Sequence, residues 1–243
     1  MPDVPLDAHY SDPDLAAIYD ITCPWSVDRS FYLDRCAPGD RVVDIGCGTG
    51  LLAATLAGKG CEVTGVDPAH AMLSIACQRA GGEAVTWVQG TAQAMDLADR
   101  FDVAIMTGHA FQTLLDDADL DAAVKSIAAH LAPGGQFLFE SRDPDFDWPA
   151  VWTNTRDAGQ GVVVSSRLLD WDGQYLSFRQ DIATGGRGYV SHSRLRFAPR
   201  VVIEEILRRN ELQVAQVAGD WTGGPTRFGV TRELIFTATK LQD

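Results

Sequence analysis

Lysine and arginine are scarce in this chain. Twenty of them stand against 33 aspartates and glutamates, for a formal charge of −13 over 243 residues. A surface of that sign lacks what phosphates call for, which speaks against unaided nucleic-acid binding and against an anionic membrane as partner. A cationic or neutral small molecule is easier to accommodate. Cysteine is sparse as well: Cys23, Cys36, Cys47, Cys61 and Cys77 are odd in number and show no CxxC spacing. That fits neither a disulfide framework nor a zinc site, and no metal is expected. It fits reduced thiols in a cytoplasmic protein, packed as small apolar side chains. No apolar run approaches the length of a membrane-spanning helix. The opening MPDVPLDAHYSDPDL has no basic stretch leading into an apolar one, so no secretory signal is expected. Repeats and low-complexity tracts are missing too, and nothing specifies an oligomeric state.

What is present is a chain long enough for a large core, with 46% hydrophobic residues. Residues 1–40 read as a helical cap, with helices over DPDLAAIYD and SVDRSFYLDRC, the second stopped at Pro38-Gly39. A regular alternation follows. RVVDI, CEVTGVD, AVTWVQG, FDVAIMT and GQFLFES read as strands. GLLAATLAGKG, PAHAMLSIACQRAGG and DADLDAAVKSIAAHLAPGG read as helices closed by glycines. Apolar strands alternating with helices imply βαβ units and a mostly parallel sheet covered on both faces, with ligands at the carboxyl ends of its strands. This core is expected over residues 41–149.

The texture changes near residue 150. VVVSSRLLDWDG, QYLSFRQDIATGG and RGYVSHSRLRFA read as three strands divided by Asp-Gly and Gly-Gly turns, a small antiparallel insertion over residues 150–198 on the acceptor side. Residues 199–243 then give a helix, with Asn210 as a left-handed cap, and two final strands, LQVAQVAGDW and ELIFTATKL.

The chemistry concentrates in RVVDIGCGTG. Gly46, Gly48 and Gly50 let the backbone turn and approach a ligand, and the following helix points its N–H groups back at it. Asp67, ending the second strand, suits ribose hydroxyls. Two details narrow the ligand. Leu51 stands where a G-x-G-x-x-G fingerprint wants its third glycine. Asp44, at the mouth of the loop, would meet a diphosphate as a like charge, but would suit an ammonium group. A cationic, phosphate-free nucleoside fits.

VVDIGCGTG, VTGVDPAHAML, VQGTAQAMDL, FDVAIMTGHAFQTL and GGQFLFESRDP, in that order over roughly residues 40–145, resemble the successive motifs of class I S-adenosylmethionine-dependent methyltransferases. The tail GDWTGGPTRFGVTRELIFTATK resembles the last strands of small-molecule members. The resemblance implies an α/β, Rossmann-like, doubly wound sheet of seven strands with the last antiparallel, and S-adenosyl-L-methionine as cofactor. By the same resemblance Asp44 and the Gly46–Gly50 loop, Cys47 included, would hold the methionine portion, and Asp67 the ribose. Pro68, Ala69 and Met72 would lie near ribose and adenine. Thr91 and Ala92 would border the adenine edge, although the family often has Asp where Thr91 stands. Thr107 would flank the methionine portion through its backbone.

Acceptor groups should cluster after the fourth and fifth strands. IMTGHAF and ESRDPD look similar to segments of glycine and sarcosine N-methyltransferases. There Arg142 matches an arginine that holds the substrate carboxylate, and His109 falls on an asparagine touching the acceptor. His109 reads equally as an acceptor contact, a general base, or a helix-start residue bonded to backbone. Arg142 reads as a clamp on an acidic group or as a brace paired with Glu140, Asp143 or Asp145. Tyr19 resembles the tyrosine that closes over the cofactor in many relatives, and also reads as a packing aromatic. Phe111 and Trp148, Trp152, Trp171, Tyr175, Phe178 and Tyr189 are expected mainly in cores, and His192 as a solvated strand residue. The expected activity is methyl transfer to nitrogen or oxygen of a small-molecule acceptor. A nicotinamide-dependent oxidoreductase and a non-catalytic cofactor-binding scaffold are the alternatives. No (D/N)PPY tetrad follows the fourth strand, which disfavours base methylation of DNA.

Overall fold

Branched apolar strands buried on both faces need helices on both sides, and the chain supplies them in alternation. The computed structural model describes residues 7–242. Four short helices come first: α1 (Ala8–Ser11), α2 (Pro13–Ala17), α3 (Tyr19–Thr22) and α4 (Val27–Asp34). The alternating core follows with β1 (Arg41–Ile45), α5 (Leu51–Lys59), β2 (Glu62–Asp67), α6 (His70–Ala76), β3 (Val85–Gln89), β4 (Phe101–Met106), α7 (Asp117–His130) and β5 (Leu131–Arg142). After α8 (Pro149–Trp152) come β6 (Asn154–Gly159), β7 (Val162–Trp171), β8 (Tyr175–Thr184) and β9 (Arg187–Arg196). The chain ends with α9 (Arg200–Arg209), β10 (Leu212–Ala218) and β11 (Glu233–Lys240).

The main sheet has seven strands in the order β10-β11-β5-β4-β1-β2-β3, with β11 antiparallel to both neighbours. The order reverses between β1 and β4, so the loops after those strands face one crevice, where open α/β sheets bind ligands. The core under this sheet is apolar and aromatic: Phe137, Phe139 and Phe236 are fully buried, with Phe139 and Phe236 stacked at 4.9 Å. Phe111 joins them, 4.4 Å from Phe139, as a core side chain.

The other sheet is antiparallel, in the order β6-β7-β8-β9. Its first strand was not expected, because Asn154–Gly159 reads NTRDAG and is almost wholly exposed, with no alternation to read. Trp148, Phe178, Leu176, Leu195 and Phe197 form a core beneath the sheet, joined by Trp152 and Trp171. Tyr175 donates to the carbonyl of Leu115, Tyr189 donates to Asp14, and His192 is exposed.

Several local expectations are corrected. The first helix is split at Ile18 into α2 and α3, with Asp12 capping α2 by accepting from Asp14 and Leu15 N–H. The helix after β2 stops at Ala76. Residues 131–135 begin β5, with Leu131 paired to Phe101, instead of extending α7. Asn210 is not left-handed; its φ is −104°, and Glu211 takes the positive φ of 62°. Of the cysteines, only Cys36 and Cys61 are buried, Cys77 is exposed, and all five are free thiols.

Candidate functional site

The carboxyl ends of β1 and β2 are tied together by the glycine loop. The N–H groups of Gly46 and Cys47 donate to the Val66 carbonyl at 2.8 and 3.1 Å. Asp67 fastens both turns: Oδ2 accepts from Gly48 N–H and Oδ1 from Ala69 N–H, each at 2.8 Å. A Cβ at Gly46 would come within 2.9 Å of the Ala110 methyl, and one at Gly50 would strike the Trp87 ring. The loop is therefore glycine because protein lies against it as well as for its left-handed turns. Thr49 donates to Asp20 at 2.6 Å, and Asp20 pairs with Arg79, whose Nε donates to the Thr49 carbonyl at 2.8 Å. The helical cap thereby latches the loop. Asp20 and Arg79 were not singled out from sequence, where only the neighbouring Tyr19 drew notice.

Asp44 is not at the mouth of the loop but beneath it, 1% exposed within β1. Its Oδ1 has no hydrogen-bond partner. Burial, reinforced by the Asp67 carboxylate, pushes its pKa up to about 7. A buried carboxyl without a partner is costly unless something else completes it. Asp67 is also raised by burial, with the two N–H bonds acting against that rise. Around this centre Met72 and Ala92 are buried, Pro68 and Thr107 half-buried, and Thr91 exposed. Tyr19 lies over the loop, with its Cε1 3.9 Å from where a Gly48 Cβ would stand. Its ring is 5.2 Å from that of His9, itself 5.2 Å from Tyr10. Burial raises the phenol pKa of Tyr19 and of Tyr10.

The second centre lies beyond β4 and β5. Glu140, fully buried, accepts from the Tyr32 hydroxyl and from His109 N–H, the latter at 2.7 Å. Burial raises the Glu140 pKa, while His109 and these bonds pull the other way. His109 is left-handed, φ 61°, and its Nε2 lies 2.8 Å from Glu233 Oε2. Arg142 does not brace the strand end against Glu140, Asp143 or Asp145: among the described residues it has no salt bridge. Its Nη1 donates to Gln112 Oε1 at 2.8 Å, and its guanidinium sits 5.1 Å from the Trp152 ring centroid. Burial lowers its pKa, opposed by Glu233 and Glu140. Gln112 in turn donates to the Arg196 carbonyl at 3.0 Å, joining this centre to the four-stranded sheet. Tyr32, Gln112 and Glu233 were missed from sequence, since each is brought in by pairing distant in the chain. Among the described residues no group of three metal-ligating side chains occurs.

A seven-stranded crevice with a glycine loop, an adjacent pair of buried carboxyls and no basic residue on the loop defines a Rossmann-like fold suited to a phosphate-free nucleoside. The comparisons with known proteins agree. Residues 42–135 match the family model described as a methyltransferase domain. The cypemycin N-terminal methyltransferase of a Streptomyces species is 31% identical over 44% of this chain and 43% of its own length. The ubiquinone biosynthesis O-methyltransferase of Nitrobacter winogradskyi is 28% identical over 65% of this chain and 56% of its own. The chain thus spans about half the length of these relatives. Among solved structures, an S-adenosylmethionine-dependent methyltransferase from Clostridium acetobutylicum superposes with a TM-score of 0.81 at 20% identity, over 95% of this chain and 98% of that one. The sugar N-methyltransferase KedS8 from a Streptoalloteichus species gives 0.74 at 21% identity, over 100% and 98%. Residues 42–135, in the alternating core, thus match a methyltransferase domain, and the chain shares the fold of the solved S-adenosylmethionine-dependent methyltransferases.

Proposed function

We propose that this chain transfers a methyl group from S-adenosyl-L-methionine to nitrogen or oxygen of a small acceptor. The observation that carries the reading is Asp44: a buried carboxyl whose Oδ1 has no partner among the described residues, beside Asp67 and under the glycine loop. That donor set fits an amino acid joined to a nucleoside. Asp44 would meet the ammonium group, and Asp67, through lone pairs its two backbone bonds leave free, the ribose hydroxyls. A diphosphate would find two carboxyls and no basic residue within the loop itself. Bound there, the cofactor supplies an electrophilic methyl on a positively charged sulfur.

The chain's own residues do the rest by positioning. Tyr19 covers the loop and limits water. Arg142, bonded to Gln112 and beside the Trp152 ring, has no salt bridge among the described residues and supports an acceptor that carries a carboxylate. His109 would contact the acceptor. The free thiols support work in a reducing compartment such as the cytoplasm.

The test is a panel of amino acids, amino sugars and phenols, assayed for S-adenosylhomocysteine formation. The expected outcome is turnover with carboxylate-bearing amines, and weaker turnover with acceptors that lack the carboxylate. Preference for uncharged amino sugars would remove the clamp from Arg142, and silence across the panel would favour a scaffold without turnover.

A further inference from the structure

The acceptor side holds a pair of groups that neither the glycine loop nor Arg142 requires. We propose that Glu233 is a positioning residue for His109: it fixes the imidazole with hydrogen on Nε2 and leaves Nδ1 as the base that takes the acceptor's proton. This rests on the methyltransferase reading above.

Four observations carry it. His109 Nε2 lies 2.8 Å from Glu233 Oε2, and the two side chains are 21% and 20% exposed. An ionised carboxylate can only accept, so a neutral ring bonded to it carries its hydrogen on Nε2. Nδ1 takes no partner among the described residues, and it is not among the buried atoms left without one. The His109 backbone is left-handed, a conformation disfavoured for residues other than glycine. It is held there by Glu140, which accepts its N–H and is itself bonded by Tyr32. Such strain persists where the surroundings over-determine it, and here the effect is to aim one side chain. Location is the fourth. Ala110, the next residue, lies where Gly46 has no room for a Cβ, and Glu233 is the cross-strand partner of Arg142 in the β5–β11 ladder. His109 is thus next in the chain to a residue packed against the glycine loop, and its partner Glu233 is paired across the ladder with Arg142.

In the step this arrangement serves, the acceptor's lone pair forms the bond to the methyl carbon. The carbon–sulfur bond breaks with its electrons on sulfur. The acceptor's proton passes to Nδ1, and the imidazolium charge is balanced by Glu233.

Nitrogen-15 spectroscopy of histidine-labelled full chain tests this without any acceptor, at about pH 8, above the ordinary histidine range. The His109 signals are assigned by their loss in His109→Gln. The expected wild-type spectrum has an unprotonated Nδ1 and a protonated Nε2. Glu233→Gln keeps that pattern through its amide oxygen, and Glu233→Leu mixes the two tautomers. A protonated Nδ1 in the wild type overturns the proposal whether or not the variants fold, as does an unchanged spectrum in a folded Glu233→Leu. Failure of the acceptor panel with the expected tautomer would count against the methyltransferase reading. An active panel with the opposite tautomer would count against Glu233 alone.

Discussion

The two sides of the crevice, at the ends of β1 and β2 and beyond β4 and β5, are built from different materials. At the ends of β1 and β2 the work is done by backbone: three glycines, two N–H groups bonded to Asp67, and one carboxyl, Asp44, left without a partner. Beyond β4 and β5 it is done by side chains gathered from across the chain: Tyr32 from α4, His109 after β4, Glu140 and Arg142 from β5, Glu233 from β11. A backbone site tolerates little variation in its ligand. A site of side chains can be rebuilt for another acceptor while the fold stays the same.

Substitutions on the two sides should therefore separate affinity for the cofactor from turnover. The largest effect is expected at His109→Ala: loss of a general base lowers turnover by about 10²–10⁴-fold, with S-adenosylhomocysteine affinity little changed. Equal losses in both would merge the two sides. Asp44→Asn comes next, weakening S-adenosylhomocysteine by about 2–3 kcal/mol, as expected for a charged hydrogen bond, with turnover at saturating cofactor less affected.

The Asp44 pKa of about 7 adds a pH signature. Below that value a proton must leave before an ammonium can bind, so wild-type affinity falls by up to ~10-fold per pH unit, and the Asn variant flattens the curve. Stability runs the other way. Between the unfolded carboxyl range near 3.8 and about 7 the folded state holds a proton that the unfolded chain has released. The ligand-free protein thus loses stability from this group as pH rises through that window, and Asp44→Asn removes the loss. Thermal melts at both ends of the window check the sign.

Asp67→Ala should weaken the cofactor by about 1–3 kcal/mol, and it also frees the Gly48 and Ala69 N–H groups. An unchanged dissociation constant in the folded variant would remove the ribose role. The smallest effect belongs to His9. It is 9% exposed, its Nδ1 has no partner among the described residues, and burial, with Arg156, holds its pKa down to about 4. The unfolded chain binds a proton below about 6.5 that the folded helical cap refuses, so stability from His9 is full above 6.5 and lost toward 4. Local opening of the helical cap limits the cost to less than the global stability. Faster hydrogen exchange in residues 8–22 at acid pH, abolished in His9→Gln, is the expected result.

The same contrast explains what could be read from sequence. β1 to β5 were legible because branched apolar runs and glycine stops are local signals. The loop was legible because its glycines lie within five consecutive residues. β6 was not, since a polar, exposed strand carries no alternation. The depth of Asp44 was not, because a strand residue at a loop's edge reads the same whether it faces ligand or lies under it. Arg142 was seen with its acidic neighbours in sequence. Its actual partner, Gln112, lies thirty residues earlier and reaches it only through the β4–β5 pairing.

The central claim is that this crevice takes a phosphate-free nucleoside attached to an amino acid. Calorimetric titration of the full chain with S-adenosylhomocysteine and, separately, with NADH at about pH 8 tests it most directly, with Asp44 ionised. The account predicts saturable binding of S-adenosylhomocysteine and no heat from NADH. Saturable NADH binding with none of S-adenosylhomocysteine would contradict it.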